Sequence, residues 1–192
     1  MATAGLLLAA GAGRRYGTPK ALLACRGGLL VEHTAGILTS AGCDPVVVVL
    51  GAAADEVRAR ARLPEVVRNE AWRTGMGSSL RAGLAALMPT PAVAAVVTLV
   101  DMPGLTPAAV RRVARDATAG SLAVAVHRDG RQGHPVLLGR DHWAGAARAA
   151  VGDRGARDYL RAHRDRLLVV PCADVADGTD VDRPDQAGLL DA

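Results

Sequence analysis

The stretch Leu6-Leu7-Leu8-Ala9-Ala10-Gly11-Ala12-Gly13-Arg14-Arg15-Tyr16-Gly17-Thr18-Pro19-Lys20 decides the fold. Its apolar beginning is uninterrupted, the pattern of a strand buried on both faces of a parallel sheet. The run then breaks into a loop spelled Gly11-x-Gly13-x-x-x-Gly17, which carries two arginines and ends at Lys20. Glycines let backbone N–H groups approach phosphates, and Arg15 and Lys20 can neutralise the charge there. Lys20 is the only lysine among 23 basic residues, so a compact ammonium is kept where arginine serves everywhere else. The stretch reads as a strand feeding a triphosphate cradle; the bland alternative is a tight strand-to-helix turn. The loop is one residue too long for the dinucleotide fingerprint. It is not a Walker loop either, since Lys20 follows no glycine and precedes no Ser or Thr.

Working outward, the spacing predicts a helix from about Leu30 to Ala41, stopped by Gly42. A buried strand follows at Val46–Leu50, rich in β-branched residues. A short charged helix is expected at Ala54–Arg62 and a strand at Glu65–Arg68. Gly75-Met76-Gly77-Ser78-Ser79-Leu80 opens a helix with serines near its N-cap and Leu80, Leu84 and Leu87 on one face. Val93–Val100 is the expected central strand, ending in Asp101-Met102-Pro103, and Thr106-Pro107 supplies an N-cap with proline in the first turn. Strands are expected at Leu122–Val126 and Val136–Leu138, separated by a polar turn over Asp129–Pro135. Two short helices, around Arg140–Ala150 and Gly155–His163, precede a last strand at Leu167–Val170 and a short helix after Pro184. Strands alternating with helices imply one Rossmann-like three-layer α/β domain over residues 1–192, with a mostly parallel sheet. Its ligands should lie outside the carboxyl ends of the strands.

Composition narrows the function. The net charge is +4, but arginines and acids are interleaved and aromatics make up 2% of the chain, which argues against a nucleic-acid-binding face. The three cysteines fall in no paired spacing and read as reduced structural thiols of a cytoplasmic protein. No apolar run approaches the length of a membrane span. No Ser/His/Asp ordering suggests acyl transfer, and no Cys/His pairing suggests zinc.

Several residues carry two readings. Asp101, closing the central apolar run, can cap the next turn or hold a metal at the sheet's edge; a triphosphate calls for Mg²⁺, which takes few carboxylates. Asp180 and Asp182 offer a second carboxylate or form a solvated turn before Pro184. Ser78 and Ser79 can cap a helix or read a base or phosphate. His134, in Gly133-His134-Pro135, makes a structural hydrogen bond or acts as a general base. Trp72 and Trp143 read as packing residues.

Six motifs, in order, resemble the molybdenum-cofactor nucleotidyltransferases, the MobA-like NTP transferases. They are Leu8-Ala9-Ala10-Gly11-x-Gly13-x-Arg15-x-Gly17-x-x-Lys20, Gly75-Met76-x-Ser78-Ser79-Leu80, Asp101-Met102-Pro103, Gly133-His134-Pro135, Gly152-Asp153-x-Gly155-Ala156-Arg157 and Asp180-Val181-Asp182-x-Pro184. The resemblance implies transfer of a nucleoside monophosphate from an NTP to a phosphorylated acceptor, with loss of pyrophosphate. It implies nucleotide binding by Ala9, Ala10, Gly11, Gly13, Arg15, Lys20, Ser78 and Ser79. Arg15, Lys20 and Asp101 would act in catalysis, Asp101 and Asp182 would hold Mg²⁺, and His134 and Asp180 would meet the acceptor. Ala10 resembles the CTP-using members, where guanylyl enzymes carry glycine. Tyr16 stands where the family usually has methionine. The implied acceptor is molybdopterin, and the implied recipient of the product a molybdenum hydroxylase. The alternatives are the same transfer to a sugar phosphate or phospholactate, with GTP as a further choice of nucleotide, and a nucleotide-binding accessory protein without turnover.

Overall fold

The apolar run that opens the chain forms strand β1 (Thr3–Ala9), buried from Ala4 onward. The protein is described by a computed structural model over residues 2–191, so the two ends of the expected 1–192 domain lie outside the described residues. After the glycine loop, a single 3₁₀ turn at Lys20–Leu22 leads into a small hairpin of β2 (Ala24–Cys25) and β3 (Gly28–Leu29), which the sequence did not signal. Helix α1 (Leu30–Ser40) is capped by Glu32, whose Oε2 accepts from Leu29 N at 3.0 Å. Strand β4 (Val46–Leu50) is buried at every position, as five consecutive large apolar residues require between two helical layers. Helix α2 (Ala54–Arg60), strand β5 (Glu65–Arg68), helix α3 (Met76–Leu87), strand β6 (Ala94–Leu99) and helix α4 (Pro107–Val113) continue the alternation. Thr106 caps α4 by accepting from Ala109 N at 3.2 Å.

The pattern then changes. Strand β7 (Leu122–Val126) is followed by β8 (Gln132–Gly139), not by a turn and a three-residue strand. The polar stretch Gln132–Pro135 was expected as a turn because Gly133 and Pro135 read as breakers. It is strand because it pairs antiparallel with β7, and a register shift at Val124/Ala125 absorbs the irregularity. Helices α5 (Arg140–Ala149) and α6 (Arg157–Ala162) follow, then edge strand β9 (Leu168–Pro171) and a closing 3₁₀ helix at Pro184–Leu190.

The main sheet has seven strands in the order β5-β4-β1-β6-β8-β7-β9. All neighbours are parallel except those of β8, which runs against both β6 and β7. Alternation along the strands divides the core. Leu7, Val48 and Val96 face α1 and α4 on one side, while Leu6, Leu8, Val49 and Val97 face α3 and α5 on the other. Burying a leucine or valine fully contributes about 1.5–3 kcal/mol, so two clusters of such residues hold the three layers together. Trp143 is fully buried and its indole N–H donates to Leu138 O at 2.8 Å. The three cysteines are free and buried, and burial pushes the Cys43 thiol up to about 11. Among the described residues no helix is long and apolar enough to cross a membrane.

Candidate active site

β1 is the point where the strand order reverses, with β4 on one side and β6 on the other. Loops leaving such a point bound a crevice at the carboxyl ends of the strands. The glycine loop stands there. Gly13, at φ +61°, accepts from the N–H of Tyr16 at 2.9 Å and of Gly17 at 2.8 Å, folding the loop back on itself. A Cβ at Gly13 would collide with the Thr18 carbonyl, so this glycine is required by both conformation and space. The N–H groups of Gly11 through Arg15 meet no acceptor among the described residues. A row of free donors on a loop after a buried strand has the groups an anion cradle needs.

The far side of the crevice is acidic. Asp101 follows β6, and the segment before Pro184 is laid beside it by two backbone bonds, Asp177 N to Gly104 O at 3.1 Å and Val181 N to Asp101 O at 2.8 Å. Lys20 Nζ lies 2.6 Å from Asp101 Oδ2 and 2.5 Å from Asp182 Oδ1, and Arg15 reaches Asp182 Oδ2 at 3.0 Å. Arg15, Lys20, Asp101 and Asp182 therefore converge. Burial lowers the Lys20 pKa, but the Asp101 and Asp182 carboxylates outweigh it and hold the ammonium above its usual value. The hydrogen bond from Lys20 holds the Asp182 carboxyl below the ordinary range.

Asp101 caps nothing, which removes the bland reading of that residue. Its Oδ1 is buried without a hydrogen-bond partner. Two convergent carboxylates with a buried, unengaged oxygen suit a hard divalent cation that takes its remaining ligands from water and phosphate. No group of three or more His, Cys, Asp or Glu residues gathers for a metal among the described residues.

Toward β4, Ser78 and Ser79 are buried at 5% and 4% exposure. Asn69, directly after β5, donates from Nδ2 to Ser78 Oγ at 2.8 Å and Ser79 Oγ at 3.0 Å, and its Oδ1 accepts from Ala71 N at 3.0 Å. Helix α3 is capped by Gly75 rather than by the serines. The structure thus gives both hydroxyls a place in the network that fixes the start of α3. Asn69 was not singled out from sequence, since a lone asparagine after a strand carries no distinguishing pattern.

Toward β8 opens a cleft of about 1640 Å³. His134, Asp180 and Asp182 line it together with Arg128, Arg157 and Arg161. His134 donates from Nδ1 to Val97 O at 3.1 Å and its own carbonyl accepts from His127 Nε2 at 2.8 Å. Burial lowers the His134 pKa, keeping the imidazole neutral with Nε2 as an acceptor. Asp180 is pushed up to about 6 by burial and then by the neighbouring Asp101 and Asp182 charges. The arginines were passed over in sequence because arginine is spread along the whole chain. The structure brings His134 and Asp180 to one wall, and Asp182 links that cleft to Lys20.

The crevice therefore offers an anion cradle, a paired carboxylate site and an open cleft beyond it, an arrangement suited to phosphate chemistry between two substrates. Comparison with known proteins agrees. A protein named nicotine blue oxidoreductase, from Paenarthrobacter nicotinovorans, is 41% identical over 191 residues, 95% of this chain and 93% of its own length. A probable molybdenum cofactor guanylyltransferase of Mycobacterium ulcerans is 32% identical over 193 residues, covering 96% of this chain and 94% of its own. Among solved structures, Rv0371c of Mycobacterium tuberculosis in complex with manganese superposes with a TM-score of 0.81 at 31% identity, over 99% of this chain and 98% of that one. Residues 5–167 match the MobA-like NTP transferase domain, a span that includes the glycine loop and Asp101 and stops short of Asp182. With the glycine loop and Asp101 both in that match, the chain belongs to the MobA-like NTP transferase family and is a nucleotidyltransferase of that kind.

Proposed function

We propose that this enzyme transfers a nucleoside monophosphate, CMP from CTP, to the phosphate of molybdopterin, with Mg²⁺ bound by Asp101 and Asp182. The observation that carries this reading is the Lys20 ammonium standing between those two carboxylates, beside a loop of free N–H donors. Mg²⁺ supplies charge neutralisation on the triphosphate when bound. The loop N–H groups and Arg15 orient the triphosphate, and Lys20 reaches it only by leaving the aspartates. An oxygen of the acceptor phosphate forms a bond to the α-phosphorus as the bond to the β-phosphate oxygen breaks, and pyrophosphate leaves. No protein nucleophile is required, because positioning and charge neutralisation supply most of the catalysis. His134 and Asp180 face the acceptor from the wall of the cleft. CTP rests on Ala10; the guanylyltransferase relative makes GTP the first competitor. The buried, free cysteines fit a cytoplasmic setting, and the product would pass to a molybdenum hydroxylase.

Pyrophosphate release from CTP, GTP, ATP and UTP, each with Mg²⁺ and molybdopterin, tests the proposal. CTP should give the fastest release, and Asp101→Asn should reduce it about a hundredfold or more while the far-ultraviolet spectrum is unchanged. A clear GTP preference would overturn the choice of nucleotide, and no release from any NTP would overturn the transfer itself. A second reading is favoured by the oxidoreductase name of the relative at 41% identity. Loss of nicotine blue absorbance with a reduced nicotinamide nucleotide, in the absence of any NTP, would support it.

A further inference from the structure

The strand order decides which side of the loop the nucleoside takes. Asp101, Lys20 and Asp182 all stand on the β6 side of β1. With the triphosphate held between the loop and those groups, the nucleoside end of an NTP falls over the ends of β4 and β5. Trp72 stands there. A Cβ built on Gly51, the residue after β4, would lie 2.5 Å from Trp72 Cβ, 2.7 Å from its Cγ and 2.8 Å from the carbonyl oxygen of Ala10. The base of the Trp72 side chain therefore lies against the backbone where β1 and β4 leave the sheet, next to the first residues of the glycine loop.

What surrounds the ring is unlike a packing site. Trp72 is half-buried and joins neither apolar cluster of the core. Its indole N–H finds no acceptor among the described residues, whereas the same group of Trp143 is satisfied. The Arg73 guanidinium lies 4.4 Å from the ring centroid, covering one face by a cation–π contact. A large aromatic surface contributes most when both faces are covered. We propose that Trp72 is the stacking platform for the nucleobase of the NTP, with Arg73 on the opposite face. This rests on the nucleotidyltransferase reading and adds to it the group that holds the base. Every nucleobase has a π-face, so such a platform supplies affinity without choosing between cytosine and guanine.

The test compares CTP and GTP with inorganic tripolyphosphate, which has the charge but no base, each with Mg²⁺, by calorimetry and tryptophan emission. In the wild type both nucleotides should quench the emission of Trp72, over a constant background from buried Trp143. Trp72→Ala should weaken CTP and GTP about tenfold or more while leaving tripolyphosphate affinity unchanged. Trp72→Phe should keep most of the nucleotide affinity and lose the quenching, and it decides the matter if the alanine variant does not fold. Unchanged nucleotide affinity in Trp72→Ala, an equal loss for nucleotide and tripolyphosphate, or quenching that survives in Trp72→Phe would each overturn the platform alone. A wild type that binds no NTP would instead overturn the nucleotidyltransferase reading and the platform with it.

Discussion

Lys20 stands between two carboxylates, and its surroundings set what that contact contributes. Its side chain is 14% exposed and bridges two carboxylates that would otherwise face each other across a few ångströms. Breaking a buried charge pair by deleting one partner is costly because the other is left uncompensated. Lys20→Met should therefore lower stability by about 2 kcal/mol at pH 7, less than for a fully buried pair because Asp182 is partly solvated. The sign follows from the two shifts. Asp182 is depressed, so its contribution is present above the ordinary aspartate range and is lost as pH falls through its lowered value. Lys20 is raised, so its contribution is present below the ordinary lysine value and is lost as pH rises through its elevated one. Urea melts of wild type and Lys20→Met should differ most between about pH 5 and pH 10 and converge only as the pH falls below the ordinary aspartate range. Millimolar Mn²⁺ without nucleotide should raise the melting temperature of Lys20→Met more than that of wild type, since a divalent cation can then take the ammonium's place. Equal shifts in the two proteins would mean that Lys20 and the cation do not share a position. That Lys20 stands apart was legible from its being the only lysine; its seat between two aspartates was not.

At the scale of elements, the start of α3 shows where local propensity and packing disagree. Alanine exceeds glycine in helix propensity by about 1 kcal/mol, so Gly77→Ala should stabilise α3 taken alone. In the protein, a Cβ at Gly77 would lie 2.5 Å from the Ala150 carbonyl oxygen and 2.7 Å from its carbon. Backbone cannot yield cheaply, and overpacking of this kind costs about 1–3 kcal/mol. The clash should win, giving a lower urea midpoint for Gly77→Ala; a higher midpoint would show that the segment after α5 moves aside. The glycine in this motif was visible in the sequence, but not its reason, because residues 77 and 150 belong to different elements. The same limit explains the other discrepancies. Val46–Leu50 and Thr106-Pro107 were readable because period, branching and capping are local properties. The start of β8 was not, because pairing with β7 overrides the turn signals of Gly133 and Pro135. Trp72 reads as packing from the sequence, because nothing in its neighbours along the chain reveals that it lies beside Gly51.

For the whole molecule, the reversal of strand order at β1 sets the layout of the crevice, with the glycine loop at the centre, Asn69 and Trp72 beyond β4 and β5, and Asp101, Asp182 and the open cleft beyond β6 and β8. The proposed base, metal and acceptor sides rest on that layout. That division follows from alternating strands and helices, which is why the general location of the site could be read before any contact was known. The lateral reach could not, since the acidic wall is completed by the turn at Asp180–Asp182, brought back to Asp101 by hydrogen bonds between distant segments. Lys20 and Asp182 are 162 positions apart. Contacts of such separation form late, after the entropy of closing the intervening chain has been offset by nearer pairings. In refolding from urea, far-ultraviolet ellipticity should thus recover before the ability to bind NTP with Mg²⁺, and simultaneous recovery would show that the two ends dock early. On the proposed function, the Lys20–Asp182 contact would then act as a final clasp: a chain whose sheet is already assembled would stay silent toward NTP until its last turn had found its first loop.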